Sequence, residues 1–148
     1  MSLVPLTEGE VKELVDVWYQ KLDVHAPLEE MLPLLAGEEL EMQLPETTLY
    51  GLNDFKGWYE GVIRTFFDEV HTMQELNISV TPDGDKANVK LVVRWEASRW
   101  PAPAPHSQRL AFDAAQTWVI VRSPTTEQAV IKTYIVDKFT PLPGYPPL

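Results

Sequence analysis

Along residues 87–97, AlaAsnValLysLeuValValArgTrpGluAla, every odd position is apolar and nearly every even position is polar. Period 2 sustained over that length predicts a long β-strand with one face on a core and one face wet. Upstream the period is different. Val11, Leu14, Val15, Trp18 and Leu22 form one stripe of an amphipathic helix, introduced by Thr7-Glu8-Gly9-Glu10, the spacing of a capping box. Pro27 can open a second helix carrying Leu28, Met31, Leu32 and Leu35, and Pro33 must break it into two short pieces. Glu38–Leu44 alternates Leu40, Met42 and Leu44 inward, a strand ended by Pro45, and Thr47–Tyr50 offers a short second strand. Asn53 or Asp54 then caps a helix whose wide apolar stripe runs Phe55, Trp58, Tyr59, Val62, Ile63, Phe66 and Phe67.

From Thr72 the period returns to 2, with Leu76, Ile78 and Val80 on one face before the turn Pro82-Asp83-Gly84-Asp85. Two more strands are expected over Gln108–Arg122 and Ala129–Phe139. The stiff proline loop Trp100–His106 precedes the first, because prolines remove ladder donors. A proline-rich tail, residues 141–148, is expected to run extended along the surface. Helices first and a strand meander afterwards predict one α+β domain over residues 1–148, a curved sheet wrapped over helices as a cone with an apolar interior.

Charge changes the picture of partners. Residues 1–75 hold 16 acidic and 4 basic side chains, and residues 76–148 hold 6 and 8. There is no basic stripe to release counter-ions, so neither nucleic acid nor an anionic membrane surface is an expected partner. The absence of cysteine excludes thiolate chemistry and zinc–sulfur sites. The opening residues lack the basic and apolar regions of a signal peptide, and a cytoplasmic protein is expected. No nucleotide-binding or phosphate-binding glycine motif occurs, so no cofactor is expected.

Three stretches carry a family likeness. They are Leu22-Asp23 through Ala36 with the strand Glu39–Leu44; Leu49-Tyr50-Gly51-Leu52-Asn53-Asp54-Phe55-Lys56-Gly57-Trp58-Tyr59; and Val92-Val93-Arg94-Trp95-Glu96-Ala97-Ser98. Together they resemble the nuclear transport factor 2-like (NTF2-like) superfamily, which includes the SnoaL-like polyketide cyclases and the ketosteroid isomerases. The resemblance covers residues 7–139 and implies a cystatin-like cone with its ligand between sheet and helices. It implies fold more than function, since the fold hosts enzymes, carriers and association domains. One departure stands out. The isomerases carry a catalytic aspartate just before a proline at the end of their first strand, and this chain has Leu44 before Pro45. Their oxyanion tyrosine falls near Trp18 or Tyr19, of which only Tyr19 has a hydroxyl.

A cavity in the cone would be lined by polar residues on otherwise apolar strand faces. Gln116 interrupts the face Leu110, Phe112, Ala114, Trp118, Ile120, and Asp137 interrupts Ala129, Ile131, Thr133, Ile135, Phe139. A carboxylate among apolar neighbours holds its proton to higher pH, as general acid–base work near neutrality requires. Asp137 is therefore the candidate catalytic residue, with a backbone-bonded carboxylate at a strand end as the alternative. Trp18, Tyr50, Trp58, Tyr59, His71, Trp95, Gln116, Trp118 and Thr133 are the candidate ligand-binding residues. His25, His71 and His106 share no metal-ligand spacing, so no metal is expected, and each is either a base at the cavity mouth or a solvated side chain. The expected partners are a small apolar, carbonyl-bearing molecule, with proton-transfer chemistry on it as one outcome, and a second copy of the chain. That copy would dock on the wet sheet face of Lys90, Val92, Arg94, Glu96, Tyr134 and Val136.

Overall fold

A computed structural model describes residues 3–148. Helix α1 spans Glu8–Asp23, with Thr7 at its N-cap accepting from the Glu10 amide at 3.2 Å. The expected stripe of Val11, Leu14, Val15, Trp18 and Leu22 is buried, and Tyr19 joins it. Helix α2 is the short Leu28–Met31, and Pro33 converts the chain into a 3-10 turn over Leu32–Leu34. A second 3-10 turn at Gly37–Glu39 shortens the expected first strand to β1, Glu41–Gln43. Strand β2 is Thr48–Tyr50.

Helix α3 spans Gly51–Thr65, starting three or four residues earlier than expected. Gly51 takes φ +75°, which gives the chain its turn from β2 into the helix, and the Asp54 carboxylate accepts from the Tyr50 amide at 3.0 Å from inside the first turn. The helix stops at Thr65, so Phe66 and Phe67 are strand residues, not the end of its stripe. Strand β3 spans Phe66–Val80, β4 Lys86–Arg99, β5 Gln108–Arg122 and β6 Ala129–Pro141.

The sheet order is β2-β1-β6-β5-β4-β3, antiparallel except where β1 runs parallel to β6. Ala87, Val89, Leu91, Val93, Trp95 and Ala97 face the helices, as their alternation predicts. Facing residues across the sheet and helices interlock in one aromatic cluster. Trp18 meets Trp118 edge-on at 6.4 Å, Trp118 stacks on Tyr134 at 4.9 Å, and Phe55 stacks on Tyr59 at 5.6 Å. These rings fill one end of the cone and leave the other open.

Strand β6 departs from simple alternation. Its pairing with β5 slips at Lys132 and again at Asp137, so each is an extra residue opposite the ladder. The inward set is therefore Ile131, Tyr134, Val136 and Phe139, paired with Ile120, Trp118, Gln116 and Ala114. Period-2 reading carried straight through the strand put Thr133, Ile135 and Asp137 on that face, and a one-residue slip turns them to the other. Asp137 is exposed and accepts a hydrogen bond from the Thr117 hydroxyl at 2.7 Å on the outer face. Thr133 lies on that outer face opposite Val119. Tyr134 and Val136, expected on the wet face, point inward. No helix among the described residues is long and apolar enough to cross a membrane.

Candidate functional site

The open end of the cone holds a cavity of about 120 Å³. Its walls are mostly apolar: Leu44 and Pro45 after β1, Trp58 and Val62 of α3, Phe66 of β3, Val93 and Trp95 of β4, Ala114 of β5, and Val136 and Phe139 of β6. Leu148 of the tail closes part of the rim, held by Arg99 donating to the Pro147 carbonyl at 3.3 Å. The polar groups that reach it are few: Glu46, in the loop between β1 and β2, accepts from Trp58 Nε1 at 3.0 Å, and the others come from α1 and the long strands.

His71 sits on β3 opposite Trp95 and faces the helices. The last residue of α1, Asp23, bonds its Nδ1 at 2.6 Å, and the Tyr19 ring lies over the imidazole at 4.8 Å. A carboxylate is an acceptor only, so Nδ1 carries the proton and Nε2 is left as the basic nitrogen. His71 also borders an outer cleft with Asp16, Gln20 and Asp23, so the imidazole separates that cleft from the cavity.

Gln116 faces inward from β5 and is buried. Its Oε1 accepts from both the Tyr19 hydroxyl, 3.2 Å, and Trp118 Nε1, 2.9 Å. With the oxygen occupied, the amide NH2 is the end free to donate into the cavity. Burial pushes the Tyr19 phenol well above its usual value, and neighbouring Tyr134 adds to the effect; burial likewise raises Tyr134. Both phenols keep their protons at neutral pH, and that of Tyr19 is donated to Gln116.

Glu69 is a buried carboxylate on the same wall, where β3 bulges between Phe67 and Val70. It accepts from Trp95 Nε1 at 3.0 Å through one oxygen and pairs with His25 Nε2 through the other. The pairs Asp23–His71 and Glu69–His25 thus stitch the end of α1 to β3.

Of the residues singled out from the pattern, Trp58, His71, Trp95 and Gln116 line the cavity. Trp18, Trp118 and Tyr59 are packed in the closed end instead; Tyr59 donates to the Ala26 carbonyl at 2.6 Å. Tyr50 is 63% exposed on the outside. His106 is exposed in its loop, and Asp137 and Thr133 lie on the outer face. Tyr19, which the family resemblance offers as a hydroxyl donor, also lines the cavity, whereas the residue pattern does not mark Glu69 or Asp23 as site residues. Tyr19 and Asp23 follow Trp18 and Leu22 by one position each and are legible as the flank of the α1 stripe, but nothing in the sequence pairs them with β3. Among the described residues no group of three or more metal-ligating side chains converges.

No protein-family model and no curated protein matches the chain. Solved structures do. A scytalone dehydratase candidate from Novosphingobium aromaticivorans is 19% identical with a TM-score of 0.68, covering 90% of this chain and 83% of that one. A type 2 hexachlorocyclohexane dehydrochlorinase, LinA, is 15% identical with a TM-score of 0.73, covering 94% and 92%. An NTF2-like superfamily protein from Salmonella enterica is 15% identical with a TM-score of 0.70, covering 90% and 89%. The chain therefore has the α+β NTF2-like fold that its sequence resembles.

Proposed function

We propose that this protein binds a small apolar, carbonyl-bearing molecule in the cavity and moves a proton on it, with His71 as the general base. The observation that carries this reading is the Asp23–His71 pair on an apolar wall. A carboxylate that holds Nδ1–H fixes the tautomer and stabilises the imidazolium once Nε2 has taken a proton. The Gln116 amide, with its oxygen already occupied, supplies a donor for the charge that develops on a carbonyl oxygen, and Tyr134 a second. Trp58 and Trp95 supply flat apolar surface for the ligand. Leu44 stands at the cavity wall, so a carboxylate base of the isomerase kind has no counterpart there, and cyclisation or elimination fits this wall better than isomerisation. Two of the similar structures bear the names of a dehydratase and a dehydrochlorinase, both eliminations.

The test is turnover of 5-nitrobenzisoxazole, a small apolar ring whose opening needs only a base. The protein should open it, and His71→Asn should reduce the rate by about 10²–10⁴-fold, the usual contribution of a positioned base. Binding of the probe without turnover by the unaltered protein would favour a non-catalytic ligand carrier. A homodimer through the outer sheet face belongs to the same proposal. Val92, Val119 and Ile135 are half-buried on that face, which also carries the Arg94–Asp113 pair, whose two hydrogen bonds measure 2.9 and 3.2 Å. Sedimentation should give about twice 16.9 kDa, and a concentration-independent monomer would refute it.

A further inference from the structure

The base reading leaves the second acid–histidine pair without a task, and its setting is that of a working group. Glu69 lies on the cavity wall, only 5% of its side chain exposed, while His25 is 23% exposed. The pair therefore runs from the cavity to the outside. Both of its anchors are held in backbone conformations that non-glycine residues rarely adopt: His25 at φ +50° and Asp68, beside Glu69, at φ +51°. At His25 this is the left-handed turn that ends α1, and neighbouring groups hold both segments. The Ala26 amide reaches back to the Lys21 carbonyl at 2.9 Å, the Tyr59 hydroxyl donates to the Ala26 carbonyl, and Arg109 donates to the Asp68 carbonyl at 2.7 Å. Glu69 and His71 are two positions apart on one strand and face the same way, which puts them roughly 6–7 Å apart along the wall.

We propose that Glu69 is the proton donor of this site, opposite in role to His71, and that His25 positions it and recharges it from solvent. This rests on the base reading above and narrows the substrate to a β-hydroxy carbonyl compound, whose leaving group departs only when protonated. His71 Nε2 takes the proton from the carbon next to the carbonyl, and that electron pair becomes the new carbon–carbon double bond. The carbon–oxygen bond breaks, the oxygen takes the proton of Glu69, and water leaves with an unsaturated carbonyl compound. The proton on His71 then passes to solvent, through Asp23 and the outer cleft, while His25 returns one to Glu69. Atoms and charge balance without a redox partner. Trp95 Nε1 holds the Glu69 oxygen that does not face His25, which keeps the carboxyl group in one orientation.

Two probes of similar size separate this inference from the reading beneath it. One is 5-nitrobenzisoxazole, whose nitrophenoxide leaves without a proton, and the other is 4-hydroxy-4-phenylbutan-2-one, whose hydroxide does not. Glu69→Gln retains the acceptor for Trp95 and removes only the acid. It should lower kcat on the hydroxyketone at least a hundredfold and leave benzisoxazole opening within threefold. Glu69→Asp should recover part of the hydroxyketone rate, and it also serves if the glutamine variant folds poorly. His25→Gln should lower kcat on the hydroxyketone with KM unchanged and spare the benzisoxazole. Equal losses on both probes, or no loss on either, in the Glu69 variants would overturn the assignment. If the protein opens the benzisoxazole through His71 but leaves the hydroxyketone untouched, the donor role fails and the base stands. Failure of the unaltered protein on both probes overturns the base reading and this inference with it.

Discussion

The two halves of the sheet obey different rules. Between β4 and β5 the register runs unbroken from Lys86↔Val121 to Arg99↔Gln108, and every residue faces where alternation says it should. Gln116, the polar exception on that wall, does face the cavity. Strands β3 and β6, which flank this pair, each slip twice against it. On β6 the slip turns Asp137 outward; on β3 the bulge and its partners hold Glu69 buried beside His71. The regular strands build the wall, and a bulged one carries Glu69 and His71, the two groups of the proposed acid–base chemistry. Bulges re-aim side chains at the cost of local ladder bonds, so their use beside the cavity is physically sensible.

Single-residue deletions test that contrast most severely. Removing Val92 from the regular register should turn the rest of β4 inside out and abolish cooperative thermal unfolding. Removing Asp137 should be tolerated far better, because Val136 and Phe139 keep their faces when the extra residue goes. Equal damage from the two deletions would refute the contrast. Next in size is Gln116→Leu. It strips the acceptor from the Tyr19 hydroxyl and Trp118 Nε1 together, and should cost about 1–3 kcal/mol in chemical denaturation for the buried donors left unpaired. Trp18 Nε1 has no acceptor among the described residues, so Trp18→Phe should cost less than Trp118→Phe, whose indole loses a hydrogen bond.

A pH-dependent effect follows where the meander meets the helices. Glu10 on α1 accepts two hydrogen bonds from Arg122 at the end of β5, at 2.8 and 3.1 Å, and these bonds hold its carboxyl below the usual range. A lowered folded-state value means the stabilisation is full above about pH 4.3, the unfolded glutamate value, and is lost as pH falls through the lowered one. The Tm difference between Glu10→Gln and the unaltered protein should therefore be present at pH 7 and vanish in strong acid. The smallest effect is expected at Asp137. With its carboxylate on the surface and one bond to Thr117, Asp137→Asn should shift stability by less than about 1 kcal/mol and leave turnover unchanged. A hundredfold loss of activity in that variant would return Asp137 to the site.

Much of this protein could be read from residue order alone. The α1 stripe from Val11 to Leu22, the break at Pro33, the long strands and the inward face of β4 all follow from local periodicity, capping and proline chemistry. Those are properties of neighbouring residues, and neighbours are what a sequence displays. The inward aim of Gln116 was legible for the same reason, as was the likeness that named the fold. The pairing of Asp23 with His71, and of His25 with Glu69, was decided only by tertiary structure. Their partners lie 48 and 44 positions apart and meet because the end of α1 packs across β3. The two slips of β6 were likewise invisible, since a bulge is a mismatch between two strands and neither strand alone contains it. The proposed chemistry depends on which distant side chains share a wall, and packing of the helices on the sheet makes that choice.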